Sequence, residues 1–492
     1  MVILAIDQST SATKAMLFSE QAVLLDSVSI PHEQHFPKPG WVEHDAEEIF
    51  RNLLRAVSHL KEKAPDTFAQ AEWVSITNQR ETIVVFDRET GKPLTNAIVW
   101  QDRRGEPLCS AMKESGAGTL IQDRTGLVLD TYFPASKLAW MNENLPEIGE
   151  RLKNGTALMG TMDTFLLYRL TNGKAYATDH TNASRTLFYD IDKLDWDREL
   201  IDLFKLEIQS LPRIQESAAV FGSTDFQGLL DKEIPVAGVM GDSQAALFAE
   251  KCFSPGMAKV TFGTGSSVLM NIGSSRIKRN NGIVTAIAWV IDGKPTFALE
   301  GITNFTGATI AWLKDQLNLI DTIEESEVLA ESVSDNGGVY FVPAFVGLGA
   351  PYWKSDATGA IFGLTPGVTK AHVTRAALEG IAFTVTDVLR VMEKSTGIKL
   401  GQLCADGGAV RNRFLMQFTA DINQRTLHAS VLPELSALGA VFSGGIAMNV
   451  YRNQDDIRKV DTGVRIYSPS MDLNEVEKLY SGWNLAIKKI RL

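Results

Sequence analysis

The chain has 492 residues, of which 45% are hydrophobic and 22% are charged. These proportions are typical of a globular protein, and the length allows two or three domains at ~150 residues each. The formal net charge of −11 argues against a protein that binds nucleic acid or a membrane surface. A small anionic ligand stays possible, because a single site can be positive in a negative protein.

The three cysteines, Cys109, Cys252 and Cys404, are too far apart in sequence to indicate a metal site or a disulfide framework. The segment from Met1 to Asp7 lacks the basic start of a signal peptide. No apolar run reaches the roughly 18 residues of a membrane-spanning helix. We therefore expect a cytoplasmic protein in a reducing compartment.

Residues 2–6 form an apolar run of strand length that ends at Asp7, and residues 15–18 form a second one. The polar segment between them contains Thr10, Ser11 and Lys14. This pattern predicts a β-hairpin with a hydroxyl-rich turn. Such a turn can bind phosphate through backbone N–H groups and hydroxyls, but a plain polar hairpin has the same pattern.

Asp45 precedes a predicted helix with one apolar face, formed by Ile49, Leu53, Val57 and Leu60. Residues 74–76 and 83–86 predict strands on either side of a polar loop that contains Arg80 and Glu81, and residues 97–104 predict a further strand. Side chains between buried elements can point into a pocket. The alternative for Arg80 and Glu81 is a surface ion pair worth ~0–1 kcal/mol.

Asp242 follows an apolar run, residues 236–240, and precedes a helical pattern. A carboxylate at such a strand-to-helix turn lies near the positive end of the helix dipole, where it can act as a general base or bind a metal. An ordinary N-cap is the alternative. The next residue, Ser243, lies in a segment similar to a nucleophile elbow, so a serine hydrolase is a rival, although only His372 and His428 follow it.

The second half repeats the N-terminal plan, with a strand at residues 260–262, a small turn at residues 263–267 and another strand. The repetition suggests an internal duplication. Farther along, residues 372–394 predict a long helix. A strand at residues 403–406 is then followed by two glycines and a helix from Arg413, a plan that can receive a nucleotide or can be a tight connection.

Together these segments resemble the FGGY family of carbohydrate kinases over nearly the whole chain, above all its members that phosphorylate glycerol. The motifs that carry the resemblance are Asp7-Gln8-Ser9-Thr10-Ser11, Asn78-Gln79-Arg80-Glu81-Thr82, Thr181-Asn182-Ala183-Ser184-Arg185-Thr186, Phe262-Gly263-Thr264-Gly265, Asp406-Gly407-Gly408-Ala409 and Ala437-Leu438-Gly439-Ala440.

The resemblance implies an α/β protein of two ribonuclease-H-like (actin-like ATPase) domains with a central cleft. Residues 1–245 would bind the polyol and residues 246–492 would bind ATP. The implied reaction is ATP-dependent phosphorylation of a terminal hydroxyl of a small polyol, with Mg²⁺. We expect the polyol or sugar and ATP as partners, no nucleic acid or membrane, and a homodimer.

The resemblance also implies a role for individual residues. Asp242 would be the general base, and Asp7 would hold Mg²⁺ directly or through water. The phosphates would be contacted by Thr10, Ser11, Lys14, Thr264 and Gly265. The nucleotide pocket would be lined by Gly307, Gly408 and Asn412. The polyol would be held by Arg80, Glu81, Trp100 and Tyr132.

The sequence departs from the glycerol-phosphorylating members at two positions beside the substrate. Those members carry Gln after the base and an aromatic residue after the second turn, where this chain has Ser243 and Ser267. Both changes leave room, so we expect an acceptor longer than glycerol, a polyol or ketose of four or five carbons, with glycerol itself as the alternative. A non-catalytic, ATP-gated binding protein of the same fold is a further alternative.

Overall fold

The computed structural model describes residues 1–278, 282–354 and 356–491. The chain forms two compact units, and each of them is built from three stretches that are separate in the sequence. Unit 1 consists of Met1–Lys251, Thr285–Phe297 and Glu434–Asp461. Unit 2 consists of Cys252–Val284, Ala298–Pro433 and Thr462–Leu492.

The strands, in chain order, are β1 Val2–Gln8, β2 Ala12–Ser19, β3 Leu24–Pro31, β4 Glu43–His44, β5 Ala71–Asn78, β6 Ile83–Asp87, β7 Ala97–Ile98, β8 Ala157–Thr161, β9 Ala177–Asp179, β10 Tyr189–Asp190, β11 Asp195–Trp196, β12 Arg213–Gln215, β13 Val220–Thr224, β14 Ile234–Gly241, β15 Ala258–Phe262, β16 Ser266–Gly273, β17 Val284–Ile291, β18 Lys294–Thr303, β19 Tyr340–Val342, β20 Ala360–Phe362, β21 Leu403–Asp406, β22 Leu427–Ser430 and β23 Val464–Tyr467.

The helices, in chain order, are α1 Ala46–Lys63, α2 Pro65–Phe68, α3 Glu106–Glu114, α4 Ala117–Thr125, α5 Pro134–Asn144, α6 Pro146–Lys153, α7 Met162–Leu170, α8 His180–Ala183, α9 Arg198–Leu203, α10 Asp242–Ala249, α11 Gly307–Asp315, α12 Glu325–Glu331, α13 Lys370–Thr396, α14 Arg413–Asn423, α15 Leu435–Ala447, α16 Gln454–Arg458 and α17 Leu473–Arg491. A 3₁₀ helix spans Gly408–Arg411. Within the described ranges, no helix combines the length and the apolar character needed to cross a bilayer.

The main sheet of unit 1 has the strand order β13-β14-β5-β1-β2-β3. Strands β1, β2 and β3 are antiparallel neighbours, whereas β5 runs parallel to β1 and β14 runs parallel to β5. The register pairs Asn78 with both Gln8 and Gly241. The three parallel strands therefore end at one edge of the sheet, and the polar residues that follow them gather there.

The predicted helix after Asp45 is confirmed as α1. Asp45 is its N-cap and accepts a hydrogen bond of 2.9 Å from the backbone N–H of Glu47. All four predicted apolar residues of α1 are buried. Strand β1 is buried along its whole length, as an apolar strand must be when both faces of its sheet are covered.

Helix α15 belongs to unit 1, although it lies late in the chain. A side chain at Gly439 would collide with the backbone of Ala245, and one at Gly444 would collide with the carbonyl oxygen of Ala237. These glycines let α15 approach α10 and β14 at backbone distance. The Ala437-Leu438-Gly439-Ala440 motif is therefore explained by close packing.

The sheet of unit 2 has the strand order β18-β16-β15-β21-β22-β23, with β18 entering this unit at Ala298. Strands β15 and β16 are antiparallel, and β21 and β22 continue parallel to β15. This arrangement has the same plan as β3-β2-β1-β5-β14 in unit 1. The predicted duplication requires such a shared strand order. The predicted helix at residues 372–394 is confirmed within α13.

The strand predicted at residues 97–104 is too long, because β7 ends at Ile98. The carboxylate of Asp102 is fully buried and accepts hydrogen bonds from the backbone N–H groups of Val42 and Arg104, at 2.7 and 2.8 Å. The guanidinium of Arg104 donates to the same carboxylate. Side-chain hydrogen bonds to the backbone thus replace the strand ladder and turn the chain after Val99.

Candidate active site

Asp242 is the first residue of α10, and its carboxylate lies in a polar setting. The N-cap of α10 is Gly241, so the N-cap alternative for Asp242 is wrong. One carboxylate oxygen, Oδ1, accepts from the backbone N–H of Ser243 at 2.6 Å and from its hydroxyl at 3.2 Å. Nε of Arg80 lies 3.2 Å from the same oxygen, and 39% of the Asp242 side chain is exposed. This carboxylate is oriented and accessible, as a base must be.

Arg80 and Glu81 are buried, so the surface ion pair is wrong. The Arg80 guanidinium donates to Oε1 of Gln244 at 3.1 Å, and Glu81 accepts from Nε of Arg185 at 2.5 Å. Glu81 has a φ of +61°, a left-handed conformation that costs energy in a residue other than glycine. The loop is strained locally and held by charge-assisted hydrogen bonds to residues far away in sequence.

Asp7 and Lys14 face each other across β1 and β2. Nζ of Lys14 lies 2.8 Å from both carboxylate oxygens of Glu434. Burial raises the pKa of Asp7 to about 7; Lys14 opposes this shift, whereas the negative charges of Glu434 and Asp242 add to it. Removing a carboxylate from water disfavours its charged form, and like charges disfavour it further.

The same electrostatics make Asp7 a fitting residue for a divalent cation. Among the described residues, no group of three His, Cys, Asp or Glu side chains could hold a metal ion. Mg²⁺ is commonly bound through one or two carboxylates, water and substrate phosphates. A buried carboxylate that is repelled by two others would be stabilised by such an ion.

The hydroxyl-rich turn after β1, residues 8–12, is called the N-terminal turn below. Nε1 of Trp100 donates to the hydroxyl of Thr10 at 3.0 Å, and Nε2 of His32 hydrogen-bonds the Thr10 carbonyl oxygen at 2.8 Å. The ring centroids of Trp100 and Tyr132 are 5.4 Å apart. Unit 1 thus brings a predicted phosphate residue into contact with a predicted polyol residue, while Ser11 is exposed.

In unit 2, residues 263–265 form a second turn, called the glycine turn below. The N–H of Gly263 donates to the carbonyl oxygen of Gly265 at 3.0 Å, and the N–H of Gly307 donates to that of Gly263 at 2.9 Å. A Cβ at Gly307 would lie 2.8 Å from the Gly263 oxygen. The start of α11 therefore packs on the turn at backbone distance, and Thr264 is exposed beside it.

Ser267 lies opposite Thr261 in the β15–β16 ladder. Its hydroxyl oxygen is buried and has no hydrogen-bond partner among the described residues. A buried hydroxyl without a partner costs free energy on the order of 1–3 kcal/mol. Unit 2 contains other buried hydroxyls in the same situation, among them those of Thr303 and Thr309.

The predicted nucleotide residues Gly408 and Asn412 follow β21. Gly407 has a φ of +91°, and a Cβ there would lie 2.6 Å from the carbonyl oxygen of Phe262. Gly408 lines a cavity of about 360 Å³ together with the end of β22. Asn412 is the N-cap of α14, accepts from the N–H of Leu415 at 2.9 Å, and donates to the hydroxyl of Ser326 at 3.1 Å. Its amide therefore orders the helix that follows the cavity.

Sequence reasoning missed four residues that hold the predicted site residues in place. Glu434 binds Lys14, Arg185 binds Glu81, Gln244 binds Arg80, and the hydroxyl of Thr181 accepts from the N–H of Gly241 at 2.8 Å. Thr181 and Arg185 lie in a motif of the family resemblance, but neither motif nor spacing reveals the partner. Each contact joins segments that are distant in sequence.

Ser243 does not have the partner that a hydrolase nucleophile needs. Its hydroxyl donates to Asp242, and no histidine among the described residues hydrogen-bonds it. His372 instead takes part in the capping box at the start of α13. The hydrolase alternative therefore lacks the nucleophile–base pair on which it depends.

Family models match both halves of the chain. The N-terminal domain model of the FGGY family of carbohydrate kinases matches residues 2–249, and the C-terminal domain model matches residues 258–448. A glycerol kinase of Bacillus thuringiensis (strain Al Hakam) is 44% identical over 486 residues, which are 99% of this chain and 98% of that protein.

Solved structures agree with the family models. A Plasmodium falciparum glycerol kinase crystallised with ADP has a TM-score of 0.95 at 37% identity, covering 100% of this chain and 98% of its own. A ligand-bound xylulose kinase from Lactobacillus acidophilus shares the fold, with a TM-score of 0.89 at 22% identity over 99% and 97% of the two chains. Both domains have the actin-like, ribonuclease-H-like fold of sugar kinases, and the chain belongs to the FGGY family of carbohydrate kinases.

Proposed function

We propose that this kinase transfers the γ-phosphoryl group of ATP to a terminal hydroxyl of a small polyol, with Asp242 as the general base. The observation that carries the proposal is the oriented, accessible Asp242 carboxylate, with Arg80 at 3.2 Å. Glycerol is the first candidate acceptor, because the glycerol kinase relative is 44% identical over nearly the whole chain.

Phosphoryl transfer depends on positioning and charge more than on covalent catalysis. In the proposed reaction, Asp242 accepts the proton of the acceptor hydroxyl as that oxygen attacks phosphorus. Arg80 and Ser243 fix the direction of the carboxylate. Arg80 and Glu81 hydrogen-bond the other hydroxyls, with Glu81 held by Arg185. The rings of Trp100 and Tyr132 cover the carbon face of the polyol.

We assign polyol binding to residues 1–245 and ATP binding to residues 246–492. Thr10, Ser11 and Lys14 would contact the phosphates from the first domain. The nucleotide would be held by Thr264, Gly265, Gly307, Gly408 and Asn412. Asp7 would hold Mg²⁺, which when bound neutralises charge on the transferred phosphoryl group. The burial of Asp7 among other carboxylates supports this assignment.

A longer acceptor is the second candidate, because Ser243 and Ser267 are small residues at positions where the resemblance implies larger ones. A site that matches hydroxyls discriminates strongly between acceptors. Ser243 contributes less, because its hydroxyl is already bound to Asp242. Measuring kcat/KM over glycerol and polyols and ketoses of four and five carbons decides between the two. If glycerol is the best acceptor of the panel, the longer-acceptor hypothesis fails.

The base assignment is tested with Asp242→Asn in the same assay. We expect kcat to fall by about 10²- to 10⁴-fold, the usual contribution of a positioned base, while ADP affinity is unchanged. Wild-type protein that binds ATP but phosphorylates no acceptor in the panel would favour the non-catalytic binding protein. An Asp242→Asn variant with ordinary turnover would contradict the role of Asp242.

The proposal also includes a homodimer that works in the cytoplasm, where ATP is available and the scattered cysteines stay reduced. Its partners would be the polyol or sugar and ATP, without nucleic acid or membrane, as the net charge of −11 suggests. Sedimentation equilibrium of the purified chain measures the oligomeric state, and a monomeric mass would contradict the dimer.

A further inference from the structure

The backbone N–H of Gly241 is held by a side chain from another segment of unit 1. Gly241 ends β14 and is the N-cap of α10, so its position determines the position of the Asp242 backbone at the start of α10. Its N–H donates to the hydroxyl oxygen of Thr181 at 2.8 Å. Thr181 is itself fully buried. A buried backbone N–H needs an acceptor, so loss of the Thr181 hydroxyl would remove the hydrogen-bond partner of the Gly241 N–H.

The hydroxyl of Thr181 can accept from the Gly241 N–H because its own proton points to Asp179. That hydroxyl donates to the carboxylate of Asp179, whose two oxygens lie 2.9 and 2.8 Å away. The carboxylate also accepts from the hydroxyl of Ser217 at 2.6 Å and from the amide of Asn182 at 2.9 Å. With the proton of Thr181 committed to Asp179, its lone pairs face Gly241.

Little room exists for the turn to move without disturbing Asp242. A Cβ at Gly241 would lie 2.8 Å from the side-chain carbons of Arg80, so the turn touches the residue that orients the Asp242 carboxylate. A shift of Gly241 would therefore change the distance between Arg80 and Asp242. In catalysis, a misplacement of about 1 Å can cost about 100-fold in rate.

We propose that Thr181, with its hydroxyl oriented by Asp179, is a positioning residue for Asp242. It contacts neither reacting atom and acts through the N–H of Gly241. The proposal rests on the role proposed for Asp242. It assigns a function to the Asp179-His180-Thr181-Asn182 segment beyond capping α8.

The test compares Thr181→Val with Thr181→Ser. Valine keeps the volume and removes both hydrogen bonds, whereas serine keeps the hydroxyl. We expect kcat to fall about 10- to 100-fold in Thr181→Val. The KM values for acceptor and ATP should change less than kcat, and Thr181→Ser should restore kcat to within about threefold of wild type.

Ser217→Ala is the matched control, because the Ser217 hydroxyl donates to the same carboxylate, whereas the acceptor for the Gly241 N–H is the hydroxyl of Thr181. It should lower the thermal midpoint as Thr181→Val does, yet leave kcat nearly unchanged. If Ser217→Ala loses as much kcat as Thr181→Val at equal loss of stability, the effect is one of folding and the proposal is overturned. It is also overturned if Thr181→Val keeps full kcat.

Amide hydrogen exchange provides a readout that does not depend on activity. The N–H of Gly241 should be protected in wild type, in Thr181→Ser and in Ser217→Ala, and should exchange faster in Thr181→Val. Equal protection in all four proteins would contradict the proposed contact. A wild type without kinase activity would instead remove the proposed function, while exchange at Gly241 would still decide whether Thr181 holds the turn.

Discussion

The N-terminal turn in unit 1 and the glycine turn in unit 2 occupy the same place in two sheets of the same plan, yet they are built differently. The N-terminal turn has backbone hydrogen bonds, such as that from the N–H of Ser9 to the carbonyl oxygen of Ala12 at 2.9 Å, and is also held by side chains, since Trp100 and His32 hydrogen-bond Thr10. The glycine turn is held by backbone contacts, since the N–H groups of Thr306 and Gly307 donate to its carbonyl oxygens at 2.8 and 2.9 Å.

This difference suits the N-terminal turn and the glycine turn to different tasks. Side chains around the first turn place charge, with Asp7, Lys14 and Glu434 within one cluster. Neither turn contains a charged residue, but the N-terminal turn is flanked by Asp7 and Lys14, whereas the glycine turn offers backbone and one hydroxyl. A turn flanked by charge suits the transferred phosphoryl group, whereas a glycine turn suits close approach of a nucleotide to the backbone. Substitutions should therefore act through backbone geometry in the glycine turn and through charge beside the N-terminal turn.

Among substitutions in and beside the two turns, the largest effect is expected from Gly265→Ala in the glycine turn. A Cβ at this position would collide with the carbonyl oxygen of Thr303, so the turn must shift. We expect ADP affinity, measured by isothermal titration calorimetry, to fall about 100-fold, equivalent to about 2.7 kcal/mol. Gly263→Ala is the control in the same turn, because its Cβ would come no closer than 3.5 Å to another atom. Equal losses in both variants would show that packing at Gly265 is not the cause.

The N-terminal turn should respond to the loss of charge at Lys14. Lys14→Ala removes the ammonium that pairs with Glu434, and we expect kcat/KM for ATP to fall about 10- to 30-fold because a phosphate loses a charged donor. Lys14→Arg keeps the charge and should retain most of the activity. A neutral Lys14→Met variant with wild-type kcat/KM would show that the charge is not used.

Each unit buries a carboxylate whose pKa is raised, to a different extent in the two units, and this predicts a dependence of stability on pH. Burial and the charge of Asp179 raise the pKa of Asp163 in unit 1 to about 7, and burial raises that of Asp387 in unit 2 to about 6, from 3.8 in both cases. The unfolded chain loses these protons near pH 4, whereas the folded chain keeps them to higher pH. The stability of the folded state therefore falls as the pH rises through a window from about 4 to about 7 for Asp163, and through one from about 4 to about 6 for Asp387.

Asp163→Asn removes the wider of these two windows. Between pH 6 and 8, we expect the thermal midpoint of the ligand-free wild type to fall by roughly 3 °C, because Asp7 and Asp163 both lose a proton in this range, and that of Asp163→Asn to fall by about half as much, by differential scanning calorimetry. Asp387→Asn, whose window ends near pH 6, should follow the wild type over this range. An Asp163→Asn curve parallel to wild type would mean that Asp163 is ionised throughout.

The smallest effect is expected at Ser11, which is exposed in the N-terminal turn. Ser11→Ala should change kcat/KM for ATP by less than about threefold, because a neutral hydroxyl contributes less than a charged donor to a phosphate contact. Steady-state kinetics measure this directly. A loss as large as that of Lys14→Ala would mean that the Ser11 hydroxyl contributes as much as the Lys14 charge.

Local patterns in the sequence predicted the elements whose stabilisation is local. The apolar runs gave β1, β2, β5 and β6, and the apolar face of α1 was predicted residue by residue, because burial imposes a regular period on an element that packs along one face. The strand after Ala97 was overestimated, since its end depends on Asp102 reaching back to Val42. The turn after β14 was located correctly, but the N-cap is Gly241, one residue before Asp242.

Short motifs and their order were enough to predict the family, the two-part plan and the charged residues proposed for the site. The hydrogen-bond partners of these residues emerged only from the three-dimensional fold. Glu434 reaches Lys14, Arg185 reaches Glu81 and Thr181 reaches Gly241. Such pairs form when distant segments pack into one unit, and the energy of a buried hydrogen bond depends on its partner's position in space, which no local pattern encodes.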